Sequence, residues 1–183
     1  MKAHNENSQT MDIDPEVLAL ARTAFQHARA GETTQLAGLL AAGLPANLTN
    51  ERGDSLLMLA SYYGHQETTR VLLEHKADPE RTNDRGQTPL AGATFKGDVA
   101  IVRMLLDHGA QVDGRGPDGK TPLMFAAMFD QLEILDLLIS RGAVFERMDA
   151  ARRTALDYCH VMGARRTAER LVELRLKAEQ SKS

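Results

Sequence analysis

Asn83-Asp84-Arg85-Gly86-Gln87-Thr88-Pro89-Leu90-Ala91-Gly92-Ala93-Thr94-Phe95-Lys96-Gly97 holds a turn, a helix start and a helix stop within fifteen residues. Asn83 to Gly86 has the small polar residues and the glycine of a reverse turn. Thr88 is placed to cap a helix, with Pro89 at its first position, where a missing N–H costs nothing. Gly97 supplies the left-handed backbone that ends that helix. Beyond it, Val99, Ile101, Val102, Leu105 and Leu106 line one face of a second helix, which Gly109 stops.

The same pattern recurs along the chain with a step of 33 residues. Gly31, Gly64, Gly97 and Gly163 fall on one beat, with Asp130 at the position that lacks glycine. Gly53, Gly86 and Gly119 fall on another, followed in two cases by Thr-Pro-Leu at 88–90 and 121–123. Self-similarity at this period marks a solenoid, built from a unit that cannot bury its apolar face alone.

These residues resemble the ankyrin repeat. The resemblance rests on Gly86-Gln87-Thr88-Pro89-Leu90, on Gly64-His65 with Glu67, and on Gly109-Ala110 with Asp113, and it covers about residues 14–177. It implies an all-α solenoid of about five helix-turn-helix units with protruding loops, and a concave face that binds proteins. The expected boundaries are a disordered leader at 1–13, an N-terminal capping unit at 14–49, full repeats at 50–82, 83–115 and 116–148, a C-terminal cap at 149–177, and a disordered tail at 178–183. The family's histidine after Thr-Pro-Leu is replaced by Met58, Ala91 and Met124. Lys76 and Asp130 stand at helix-ending glycine positions, where a left-handed side chain costs roughly 1 kcal/mol.

The net charge of −3 argues against a general nucleic-acid binder, although residues 151–183 carry eight Arg and Lys against four Asp and Glu. The single Cys159 fits a reducing compartment, so a cytoplasmic location is expected. No apolar run approaches the ~20 residues of a membrane span. A monomer is expected.

Gly114-Arg115-Gly116-Pro117-Asp118-Gly119-Lys120-Thr121 matches the phosphate-loop pattern in full. It also lies in register with Gly86-Gln87-Thr88, which has no lysine, and lacks the strand-loop-helix setting that the motif needs. His75, His108 and Arg141 share one column at second-helix ends, where positive charge suits the helix dipole. Helices packed about 8–10 Å apart do not bring such histidines onto one metal ion. No catalytic, cofactor or metal residues are assigned, and enzymatic activity is not expected.

The two residues before each first-helix stop form a column that faces the groove in this family: Arg29-Ala30, Tyr62-Tyr63, Phe95-Lys96, Met128-Phe129 and Val161-Met162. Tyr62, Tyr63, Phe95, Lys96, Met128, Phe129, Val161 and Met162 are therefore the candidate partner-binding residues, with Arg52, Arg85 and Lys120 as loop-tip cations. The expected function is non-catalytic protein binding, in the manner of short bacterial ankyrin proteins. The alternatives are a secreted effector acting on a host protein and a nucleotide-binding enzyme using residues 114–121.

Overall fold

The computed structural model describes residues 15–181. Among them are ten helices in five antiparallel pairs: α1 (Pro15–Ala30) with α2 (Thr33–Ala41), α3 (Leu56–Tyr62) with α4 (Gln66–Glu74), α5 (Pro89–Lys96) with α6 (Val99–Asp107), α7 (Pro122–Met128) with α8 (Leu132–Ser140), and α9 (Ala155–Met162) with α10 (Arg165–Gln180). First helices stack on first helices and second on second, so each pair meets only its neighbours. The expected leader at 1–13 lies outside the described residues. Residues 178–180, expected in the tail, are the last turn of α10 instead.

The 33-residue register sets the local chemistry. Ser55, Thr88, Thr121 and Thr154 each cap a first helix by accepting from the backbone N–H three residues on. Asn47, Glu80 and Asp113 occupy one column, and each side chain accepts from a backbone N–H of the following unit, at Asp78, Gln111 and Val144. Loops are stitched as well: Asp84 N–H donates to Arg52 O at 3.1 Å and Ala150 N–H to Asp118 O at 2.9 Å. These bonds hold neighbouring loops together without the family's histidine. His65 donates to the carbonyl of Arg29 at the end of α1 at 2.8 Å. His75 and His108 each donate Nδ1–H to a carbonyl in their own helix, at 2.8 Å, and Arg141 pairs with Asp107 at 2.7 Å.

The core is two leucine columns. Leu57, Leu90 and Leu123 bury the first helices, while Leu72, Leu105, Leu138 and Leu171 bury the second. Leucine suits a straight helical column because it loses little rotamer freedom there.

Left-handed backbone falls in three columns at the same period: 31-64-97-130-163, 43-76-109-142 and 53-86-119-152. One side chain interrupts each column, namely Asp130 (φ 53°), Lys76 (φ 63°) and Arg152 (φ 61°). At Gly53 and Gly119 the next loop's backbone lies 2.8 Å from where a Cβ would stand, so only glycine fits. Arg152 is the last of that column among the described residues and is exposed.

The carbonyl of Lys76 accepts from the Asn47 amide at 3.3 Å, but among the described residues its side chain has no hydrogen bond or ion pair, whereas that of Asp130 does. The Asp130 carboxylate accepts from the N–H of Thr167 at 2.9 Å and from its hydroxyl at 3.1 Å. Ala164, at the N-cap of α10, has no side chain able to cap, so the preceding unit supplies the cap. Glycine at Asp130 would remove strain and the cap together. Lys76→Gly is expected to raise stability by up to about 1 kcal/mol. Asp130→Gly should give no gain. Urea unfolding midpoints of the two variants check this, and a gain at Asp130 would deny the cap any weight.

The last loop closes on a buried carboxylate. Asp149, its side chain 1% exposed, accepts from the Tyr158 hydroxyl at 2.5 Å and from Arg153 N–H at 2.8 Å. The Arg153 guanidinium lies over the Tyr158 ring, 4.6 Å from its centroid. The Tyr158 hydrogen bond, then the Arg153 amide and charge, hold the Asp149 carboxyl at about 2, below the ordinary 3.8. Burial first, then the carboxylate, pushes the Tyr158 phenol up to about 12. A carboxyl depressed on folding stabilises the fold above its unfolded value, and that contribution disappears as the pH falls towards about 2. Tyr158→Phe should therefore differ most from the parent above pH 4, with the two stability curves converging towards pH 2. A constant offset across that window would deny the ionised pair its role.

Candidate functional site

Each first helix ends in a pair of which at least one residue is exposed, because the inward-facing turn is taken up by the leucine column and by small residues such as Ala60, Ala93 and Ala126. The ends line up across units. Tyr62, Tyr63, Phe95 and Phe129 are 38%, 50%, 46% and 41% exposed. Their rings still order one another: Tyr62 meets Tyr63 edge-on at 5.6 Å, and Phe95 meets Phe129 at 5.1 Å and Phe125 at 6.4 Å. Edge-to-face pairs of this kind fix ring positions before anything binds. The Lys96 ammonium stands 5.2 Å over the Tyr62 ring.

A groove of about 580 Å³ runs between these helix ends and the loop tips. Tyr62, Tyr63 and Phe95 line its floor, and Arg52 and Arg85 its rim. Met128 is half-buried beside it, while Val161 and Met162 extend the apolar surface over the last unit, both exposed. Lys120 is drawn elsewhere: its ammonium is bonded to Asp118 and lies 5.9 Å over the Tyr158 ring, leaving the side chain 19% exposed. The expected rim cation there is already engaged.

Arg29, in the groove-facing column of the sequence, lines the groove as well, and so do Phe125 and Gly92, which were not among the sequence-derived candidates. Gly92 supplies the signal that points to Phe125. It sits inside α5, where glycine costs about 1 kcal/mol relative to alanine. Its column reads Leu59, Gly92, Phe125, so the missing side chain leaves a hollow between two large ones.

The phosphate-loop look-alike uses its donors internally. Gly116 N–H donates to Lys120 O and Gly119 N–H to Gly116 O, while the Thr121 hydroxyl caps α7. The backbone donors that would wrap a phosphate are committed to a turn.

A family model described as ankyrin repeats in three copies matches residues 24–116 and again 111–182. The chain belongs to the ankyrin repeat family. A curated protein of Pseudomonas aeruginosa, named for its ankyrin repeats, is 49% identical over 65 residues, which is 36% of this chain and 38% of that protein. The chain thus covers less than half of the relative it resembles. Ankyrin repeats are in general protein-interaction modules, and the stacked pairs, stitched loops and exposed helix ends here are the ankyrin arrangement. Among the described residues of this ankyrin protein, no helix is long and apolar enough to cross a membrane.

Proposed function

We propose that this chain is a non-catalytic binding module that takes a partner protein in the groove between its first-helix ends and its loop tips. The reading is carried by the ordered yet exposed stripe of Tyr62, Tyr63, Phe95 and Phe129. Aromatic side chains held in place and left open are the anchors on which interface energy concentrates. Their charged surroundings provide the polar rim that such anchors need. Cys159, buried and without a second cysteine in the chain, supports a reducing setting such as the cytoplasm.

The test is where the affinity resides. A partner recovered with the native protein is titrated against groove variants at Tyr62 and Phe95 and against variants of Arg70 and Arg103, exposed on the second helices. Loss confined to the groove variants supports the proposal. Loss confined to the second-helix variants moves the site to the opposite face.

A further inference from the structure

The groove differs from the rest of the chain in its charge. Arg29, Arg52 and Arg85 all line it, and among the described residues none of the three guanidiniums forms an ion pair. Its two carboxylates are engaged. Asp54 accepts from Asn50 and from Asn83, at 3.3 and 2.9 Å, and Asp118 holds Lys120. With Asp118 neutralised by Lys120, three arginines stand against the one remaining carboxylate of Asp54, and the groove is net positive in a protein of net charge −3.

That charge has a direction. Arg52, Arg85 and Asp118 occupy the same loop-tip position in successive units, and with Asp118 paired to Lys120 the free cations lie at one end of the rim. The floor changes with it, from Tyr62 and Tyr63 under the arginines to the exposed Phe129, Val161 and Met162 beyond them. Guanidinium groups match carboxylates with two parallel hydrogen bonds, which a lone ammonium cannot do.

We propose that the groove takes an acidic peptide segment, its carboxylates on Arg29, Arg52 and Arg85 and its following apolar side chains over Phe95 and Phe129. The inference rests on the groove being the binding face, and the experiment separates the two.

A random 12-residue phage-displayed library is panned on the full chain, on Arg52→Glu/Arg85→Glu and on Tyr62→Ala. The parent should enrich sequences in which Asp or Glu precedes an apolar run, and the charge-reversed variant should enrich Lys or Arg instead. A synthetic peptide from the parent selection should lose about 25-fold in affinity on the double reversal, at roughly fivefold per exposed charge, and weaken in high salt. Binders that depend on Tyr62 but ignore the reversal and salt would overturn the acidic assignment and leave the groove intact. Binders indifferent to both variants would overturn the groove as well, as would recovery of none. A single-stranded 20-residue DNA competing more strongly than any selected peptide would replace the peptide by a nucleic acid.

Discussion

Leu105→Ala should cost about 3 kcal/mol of stability, the scale expected for truncating a fully buried leucine. Leu105 is completely buried at the middle of the second-helix column, between Leu72 and Leu138. Removing it forfeits the transfer energy of the side chain and leaves a cavity walled by two other helices, which cannot both close in. In a solenoid each unit is held only by its neighbours, so a weakened α6 loosens both interfaces that flank it. The whole stability of such a domain is of the order of 5–15 kcal/mol, so the loss is a large share of it. Urea unfolding followed by circular dichroism measures the effect. A change below about 1 kcal/mol would mean that the stack collapses around the gap.

Phe95→Ala should weaken partner binding by about 2 kcal/mol or more, close to 30-fold. The ring is held between Phe125 and Phe129, so little further ordering is needed on binding. Its remaining exposure of 46% is apolar area that a partner can remove from water. Tyr62→Ala should act in the same sense, while Arg103→Ala on the outer helix should be nearly neutral. Because Phe95 also packs against its neighbours, Phe95→Leu serves as the companion variant. It keeps part of the packing and should recover part of the affinity. Equal affinity in the parent and all four variants, measured by calorimetry, would make the aromatic stripe a packing feature alone.

Much of this architecture was legible because a strict period assigns every residue to a column, and residues of one column share an environment. Thr88 and Thr121 as caps, Gly97 as a stop and Tyr62, Phe95 and Met128 on one line, with Phe129 beside it, all follow from counting. What counting cannot give is the partner of a residue in a different column. The Asp130 carboxylate looked like a strained substitute for glycine, and its use as a cap for α10 depends on Thr167, 37 residues on. Lys120 was legible as a loop-tip cation, but its engagement with Asp118 is a matter of side-chain reach within one turn. The hollow at Gly92 was missed for the opposite reason. A glycine reads as a weak point in a helix until the large neighbours on either side of it, Leu59 and Phe125, are known to share its column.

Arg152 bears on what can stack beyond the last described loop. At the equivalent glycines 53 and 119 the following loop lies against the backbone, closer than any side chain would permit. An arginine at the last such turn therefore occupies the ground that one more loop would need. A side chain at position 152 is therefore incompatible with a loop seated as closely as those against Gly53 and Gly119, and glycine there would be the first requirement for stacking one in that pose.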